Sequence, residues 1–158
     1  MTERALFTSS LFGMVFKSGL SARRSETFFL SSISSFGSSV VVVFGYPNNE
    51  FAQPKNVLFS HIVCTLVGIV FVTLFKISQD RTIFFLAVGL AVGIAVMLMM
   101  AFKITHPPAG GNTIVVMLAQ DSFHFLVFPI MVGAITIIIG GIIYNRLVLK
   151  KNYPLKWL

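Results

Sequence analysis

Long apolar runs separated by short polar stretches set the pattern of this chain. Three runs have the length of a membrane span: Val57 to Ile77, Ile83 to Lys103 and Phe125 to Tyr144. A helix needs about 20 mostly apolar residues to cross a hydrocarbon core of roughly 30 Å. The pattern therefore predicts three transmembrane helices.

The N-terminal part shows a weaker pattern. Leu6 to Leu20 is only moderately apolar and contains Lys17, so it predicts a short or membrane-skimming fourth helix. A cleaved signal peptide is disfavoured because no small-residue cleavage site follows a compact apolar core. A transit peptide that begins upstream of Met1 stays open, because this end of the chain is rich in Arg and Ser and poor in acids.

Two apolar segments are too short to span a bilayer. Pro108 to Ala119 has about 12 residues, which is about 18 Å as a helix at 1.5 Å per residue, and Ser35 to Phe44 is shorter. Each could be an interfacial helix or a strand, but a lone strand in lipid would leave its backbone unpaired. We therefore predict an all-α integral membrane protein of about four transmembrane helices plus two half-helices or re-entrant helices.

The two halves of the chain also resemble each other. "GSSVVVVF", which begins at Gly37, aligns with "GGNTIVVM", which begins at Gly110, at an offset of 73 residues. Each segment is followed by a polar loop and by a proline, Pro54 or Pro129, close to the start of a long apolar run. The similarity predicts a two-fold internal repeat.

The repeat implies one membrane domain over residues 1–158. Repeat A covers about 6–77, repeat B covers about 82–146, and residues 147–158 form a basic tail. The repeats are parallel if the short segments re-enter the membrane and inverted if they cross it. Both arrangements build transporters around a site at the repeat interface, and the sequence leaves both open.

Composition agrees with a membrane protein. Hydrophobic residues make up 56% of the chain and charged residues 11%, with 17 phenylalanines and a mean hydropathy of +0.89, which is typical of proteins embedded in lipid. The net charge of +7 does not indicate nucleic-acid binding, because the cations are scattered over loops and tails. We expect contact with the lipid bilayer and leave a homo-oligomer or a larger membrane complex open.

The cations bear instead on orientation. With four spans, one side of the membrane carries Arg4, Lys76, Arg81, Arg146, Lys150, Lys151 and Lys156, and the other carries Lys17, Arg23, Arg24, Lys55 and Lys103. The excess of Lys and Arg on the first side, seven against five, slightly favours both termini on the cytoplasmic or equivalent side.

The residues that usually carry cofactor or enzyme chemistry form no recognisable set. The histidines His61, His106 and His124 are far apart in sequence and make no metal-binding pair. The single cysteine, Cys64, lies in an apolar run and is expected to be a packed thiol. The chain contains no nucleophile–base motif and no phosphate loop, so we predict no enzyme, no metal and no cofactor.

"THPPAGGNT", residues 105–113, is the strongest candidate for a binding site. Pro107 and Pro108 should stop the preceding helix near Thr105, and Pro108 suits the first turn of a new one. The amides of that first turn, from Ala109 to Gly111, would be free donors at the positive end of a helix dipole, which favours an anion. The alternative is a tight connection whose small residues only let helices pack closely.

Other polar residues extend this candidate site. Serines around Gly37 supply hydroxyls at the other short segment, and His61 needs a partner because it is an imidazole inside an apolar run. His61 either forms a hydrogen bond between helices or is a proton-linked or substrate-facing group. The predicted substrate-binding residues are Ser35, Gly37, Ser38, Ser39, Gln53, Asn56, His61, His106, Ala109, Gly110, Gly111, Asn112 and Thr113.

Four ordered motifs resemble the HPP family of integral membrane proteins: "SSFGSSVVVVF", "FAQPKNVLFSH", "ITHPPAGGNT" and "YNRLVLKKNYPLKW". The resemblance covers roughly Ser31 to Trp157. It implies four transmembrane helices and, by similarity to plant and cyanobacterial members, nitrite transport. The family's characteristic positions would be Ser35, Phe36, Gly37, Ser38, Gln53, Pro54, Asn56, His61, His106, Pro107, Pro108, Ala109 and Gly110.

These observations lead to one functional hypothesis and one alternative from another class. The first is a transporter or channel for a small inorganic anion similar to nitrite, held at the N-termini of the two half-helices. The alternative is a structural subunit of a larger organellar membrane complex that does not transport. The expected location is an organelle membrane, chloroplast or mitochondrial, or a bacterial inner membrane.

Overall fold

The computed structural model describes residues 35–75, 81–119 and 123–157. Within these ranges the regular structure is helical, without β-strands, as predicted. The predicted helix at Leu6 to Leu20 lies outside the described residues. The main helices are α1 (Ser35–Gly45), α2 (Pro54–Phe75), α3 (Arg81–Ala101), α4 (Gly110–Ala119) and α5 (Val132–Ile143).

The three predicted membrane spans are confirmed in the described part of the chain. Helical segments long and apolar enough to cross a bilayer cover Pro54–Leu74, Thr82–Ala101 and Leu126–Val148. The first of them begins before Val57, because Pro54 fits the first turn of a helix, where its missing N–H costs nothing.

The last span is less regular than its composition predicts. Phe128 has φ −135° and ψ 117°, which is not helical, and it separates the turn at Phe123–Phe125 from α5. The cause is Pro129, which lacks a backbone N–H and disfavours helical backbone in the residue before it. The span ends beyond α5 in a wide π-helical segment, Tyr144–Val148.

The segment between α3 and α5 contains a short helix, as predicted. A non-helical loop after Ala101 leads into a 3₁₀ turn, Pro107–Ala109, and then into α4. The 10 residues of α4 cover about 15 Å at 1.5 Å per residue. This is too short to span a bilayer alone.

The direction of α4 shows that this segment crosses the membrane. Thr113 Oγ1 donates to the carbonyl of Cys64 at 2.9 Å. One turn further on, Gly68 faces Val116 so closely that a Cβ at Gly68 would be 3.1 Å from Val116 Cβ. Helix α4 therefore runs along α2 in the same direction and begins well inside it. Together with the preceding loop, α4 carries the chain across as a broken crossing.

The C-terminal tail folds back on the start of α2. Tyr153 Oη donates to the carbonyl of Ala52 at 2.7 Å, and burial raises the pKa of Tyr153 to about 12. The Gln53 Oε1 atom accepts from the amide of Leu155 at 2.8 Å and from the amide of Lys156 at 3.3 Å. The span that contains α5 therefore ends on the side where α2 begins.

This topology corrects the predicted distribution of charge. Lys156 lies with Lys55 and Lys103 around one pocket, whereas the sequence placed Lys156 on the opposite side of the membrane. The prediction counted four spans and did not count the short segment that contains α4. The broken crossing through α4 adds a passage, and that passage moves the tail to the other face.

Each short helix packs against the long helix of the other half. Gly68 of α2 contacts Val116 of α4, and Gly141 of α5 contacts Val43 of α1. Both members of the second contact are related to the first by the 73-residue offset. The two-fold repeat stays a prediction, and the opposite directions of α2 and α5 favour its inverted form.

Candidate functional site

A cluster of polar side chains lies buried between α1, α2, α4 and the loop that precedes α4. Its members are buried although the surrounding helices are apolar: Ser35, Ser39, Ser60, His61, Thr65, His106, Asn112 and Thr113. Ionisable groups at membrane depth are costly and usually mark a functional pathway. This cluster is therefore the candidate functional site.

His106 connects the loop to α1. Its Nδ1 atom is 2.7 Å from the carbonyl oxygen of Phe51, and its Nε2 atom is 2.9 Å from Ser39 Oγ. A carbonyl oxygen only accepts, so Nδ1 carries the hydrogen. The extended backbone of His106, φ −138° and ψ 94°, follows from the steric effect of Pro107 on the residue before it.

His61 connects α2 to α1 and α4. Its Nε2 atom is 3.1 Å from Ser39 Oγ, and its Nδ1 atom is 2.7 Å from Asn112 Nδ2. The ring centroids of His61 and His106 are 5.4 Å apart. The prediction that His61 is hydrogen-bonded between helices is confirmed, and its alternative role in proton or substrate handling stays a prediction.

Further hydrogen bonds hold the two short segments together. Ser35 Oγ donates to the carbonyl of Pro108 at 2.9 Å, which joins the described start of α1 to the turn before α4. Ser60 Oγ donates to the carbonyl of Ile104. The bond from Ser60 satisfies a carbonyl group of the non-helical loop at membrane depth, where an unpaired carbonyl is costly.

The prediction that the amides from Ala109 to Gly111 are free donors is wrong for two of them. The Ala109 amide donates to the carbonyl of His106 at 3.0 Å, and the Gly110 amide donates to the carbonyls of Pro107 and Pro108. The 3₁₀ turn supplies these acceptors, because its bonds reach three residues back instead of four. An anion therefore cannot rely on these two amides unless it replaces those bonds.

Open space nevertheless remains beside the two glycines. A Cβ at Gly110 would meet nothing within 4 Å, and one at Gly111 would meet only Ser35, at 3.8 Å. Both glycines are half-buried. A small ligand can therefore approach this part of the backbone next to the Ser35 hydroxyl.

The other predicted site residues differ in their exposure. His106, Asn112 and Thr113 are fully buried. Gly37 and Ser38 are exposed on the opposite face of α1 from Ser39. This separation follows from the 3.6-residue period of a helix, which turns adjacent positions to different sides.

Gln53 and Asn56 lie near the outer end of the cluster and have structural partners. Gln53 Nε2 donates to the carbonyls of Pro47 and Asn49, both at 2.9 Å. Asn56 Nδ2 donates to the carbonyl of Glu50 at 2.8 Å. Gln53 thus ties the start of α2 to both the preceding loop and the C-terminal tail.

A pocket with a cavity of about 330 Å³ opens at this end of the molecule. Its lining residues are Glu50, Gln53, Lys55, Asn56, Lys103 and Lys156. Three ammonium groups face one carboxylate, and Lys156 Nζ is 3.9 Å from Glu50 Oε1. The lysines were not among the predicted site residues, because the fold brings them together from positions that are distant in sequence.

Ser60 and Thr65 were also missed by the sequence prediction. Both lie on α2 within one turn of His61, and Thr65 Oγ1 donates to the His61 carbonyl at 2.7 Å. Their signal was present as polar positions in an apolar run. Among the described residues, no group of three or more His, Cys, Asp or Glu could hold a metal ion.

Comparison with known proteins shows the family of this chain. The family described as "HPP, transmembrane region" matches residues 3–154, so the chain belongs to the HPP transmembrane family. It is also 32% identical to two transmembrane proteins of Dictyostelium discoideum, over 129 residues (79% of this chain) and over 137 residues (84%).

The chain spans 45% of the length of the first Dictyostelium protein and 42% of the second. No solved structure matches it significantly. The chain is thus an integral membrane protein of the HPP family, and this assignment is consistent with a membrane transporter in general.

Proposed function

We propose that this chain transports a small monovalent anion, with nitrite as the first candidate. One observation carries the proposal: the chain breaks its helix inside the membrane, at His106 to Ala109, next to a buried cluster of hydroxyl, amide and imidazole groups. Non-helical backbone at membrane depth is tolerated where it is packed in protein or lines a pathway. Transporters commonly place substrate sites at such broken helices.

The chemistry around the break suits an anion better than a cation. In the described part of the chain the only carboxylate side chain is that of Glu50, which is exposed. The open space beside Gly111 is bordered by the Ser35 hydroxyl. It lies near the start of α4, where the helix dipole favours negative charge. We therefore place the proposed anion position there, where the Ser35 hydroxyl can donate to the anion in place of its bond to the Pro108 carbonyl.

The lysine-lined pocket also favours an anion over a cation. Lys55, Lys103 and Lys156 outnumber Glu50 around its opening, and clustered positive charge raises the local concentration of anions. Phe51, whose carbonyl accepts from His106, lies in sequence between pocket residues Glu50 and Gln53. The pocket is therefore an outer vestibule next to the buried cluster.

Uptake of nitrite by proteoliposomes that contain the purified chain tests this proposal. Gly110→Leu fills the open space at the start of α4 and is expected to abolish uptake while the protein stays folded. Gly93→Leu is the matched control, since a Cβ at Gly93 on α3 also meets nothing within 4 Å but lies away from the cluster, and it should leave uptake unchanged. The proposal fails if uptake by the wild-type chain does not exceed that of empty vesicles.

The chain covers less than half of the length of its Dictyostelium relatives. Anion transport by a full-length protein that contains this domain is therefore part of the same proposal. An organelle membrane or a bacterial inner membrane as the location also stays a proposal.

A further inference from the structure

The two buried histidines form a hydrogen-bonded chain through Ser39, and the donors and acceptors fix its direction. Asn112 Nδ2 is a donor, so His61 Nδ1 accepts and His61 Nε2 carries the hydrogen. His61 Nε2–H then donates to Ser39 Oγ at 3.1 Å. His106 Nδ1–H donates to Phe51, which leaves His106 Nε2 as the acceptor that faces Ser39 Oγ at 2.9 Å.

Ser39 is the link because one hydroxyl both accepts and donates. Its single hydrogen has two acceptors within reach, His106 Nε2 at 2.9 Å and the Ser35 carbonyl at 3.1 Å. When it points to His106, the chain runs without interruption from Asn112 through His61, Ser39 and His106 to Phe51. Chains of titratable groups that include His form proton relays in membrane pumps and transporters.

Asn112 supplies a second, independent observation. Asn112 is fully buried, and its Oδ1 atom has no hydrogen-bond partner. Rotation of the amide by half a turn would present Oδ1 to His61 Nδ1, an arrangement that is favourable only when His61 Nδ1 carries a hydrogen. The side chain is therefore suited to two proton arrangements of His61, with Nδ1 bare in one orientation and carrying a hydrogen in the other.

The surrounding groups limit the cluster to one added proton. Among the described residues of this part of α2, Cys64 is the one titratable group besides His61. The charged side chains of Glu50, Lys55, Lys103 and Lys156 lie outside the cluster, in the vestibule. The ring centroids of His61 and His106 are 5.4 Å apart, so a positive charge on one opposes a second charge on the other.

We propose that His61, Ser39 and His106 form a proton relay, and that this chain carries one proton together with each anion. The inference rests on the proposed anion transport and names its coupling ion. A monovalent anion beside the cluster is costly at membrane depth without a counter-charge. A proton on either imidazole provides that charge, so the loaded protein gains no net charge.

Every atom in the relay is accounted for. A proton from the medium binds His61 Nδ1 as the Asn112 amide turns its oxygen towards it. The Nε2 hydrogen of His61 moves to Ser39 Oγ while the Ser39 hydrogen moves to His106 Nε2. His61 is then neutral with its hydrogen on Nδ1, Ser39 again has one hydrogen, and His106 carries the positive charge on the side of Phe51 and the vestibule.

The test measures nitrite uptake and internal acidification together in proteoliposomes loaded with a pH-sensitive dye, with empty vesicles to subtract nitrous acid that crosses lipid directly. An inward proton gradient should accelerate nitrite uptake several-fold, with acidification in proportion, and a membrane potential alone should not. Ser39→Ala keeps both imidazoles but removes the link, and should lose the acceleration. His124→Asn, which replaces an exposed histidine at the other end of the molecule, should retain it.

The outcomes separate the two proposals. Nitrite uptake that follows the membrane potential and ignores the proton gradient would overturn the relay and leave anion transport standing. Absence of uptake under every gradient would overturn anion transport and, with it, proton coupling.

Nitrogen NMR of the histidine rings in lipid gives a readout that does not need transport. At neutral pH His61 should be the Nε2–H tautomer and His106 the Nδ1–H tautomer, with His61→Asn and His106→Asn used for assignment. An Nδ1–H tautomer at His61 under these conditions would contradict the relay, because Ser39 could not then satisfy both rings.

Discussion

Gly141→Ala should destabilise the protein through a single contact. A Cβ at Gly141 would overlap Val43 Cγ1, and Val43 is fully buried against α5. Overpacking of a buried contact costs about 1–3 kcal/mol, whereas replacing glycine by alanine in a helix gains up to about 1 kcal/mol. The expected net loss is therefore about 1 kcal/mol, or roughly 2–4 °C in Tm for a chain of this size.

The lone cysteine provides the assay. Cys64 is fully buried and is the only cysteine of the chain, so a thiol-reactive fluorescent dye reports unfolding when heating exposes it. Gly93→Ala measures the intrinsic gain of alanine in the same membrane environment, because a Cβ there meets nothing within 4 Å. We expect Tm to rise or stay constant for Gly93→Ala and to fall for Gly141→Ala.

A double-mutant cycle completes the test. Val43→Ala removes the methyl groups that the new Cβ would overlap, so the double variant should be more stable than the sum of the two single effects, by about 0.5–3 kcal/mol. Additive effects would show that Gly141 and Val43 are not in contact, and the packing of α1 on α5 described above would be refuted.

Three further predictions follow from individual contacts. Asn145→Leu removes the hydrogen bonds from Asn145 Nδ2 to the carbonyls of Val43 at 3.1 Å and Gly141 at 2.9 Å, and should cost about 1–3 kcal/mol; an unchanged Tm in the thiol assay would contradict this. Gln53→Ala releases the amides of Leu155 and Lys156, so trypsin should cut the tail faster than in the exposed-site control Asn152→Ala, and equal rates would count against the anchoring role. Lys103→Gln should slow nitrite uptake at low salt and converge with the wild type at high salt, because exposed charges are screened; a loss that is independent of salt would rule out electrostatic recruitment.

The long helices and the short helix follow from the sequence alone. Hydrophobic length is a local property, so the runs that begin at Val57, Ile83 and Phe125 predicted the spans within a few residues. The proline pair at Pro107 is also local in its effect, because it blocks a helix through its own ring and missing N–H. His61 could be singled out for the same reason, since an imidazole in an apolar run needs a partner wherever it lies.

The partners of those residues depended on tertiary structure. Ser39 lies between His61 and His106 because three separate elements meet there. Nothing in the spacing of the sequence distinguishes Ser39 from its neighbour Ser38, which faces outward. The amides of Ala109 and Gly110 were expected to be free. The sequence did not predict the 3₁₀ turn that engages them, because that turn is a detail of backbone geometry. Lys156 joins Lys55 and Lys103 in the vestibule only because a broken crossing moves the tail to the start of α2. Local chemistry therefore determined which residues need burial or a partner, and the packing of helices from both halves decided which atoms meet, because such contacts join residues that are far apart along the chain.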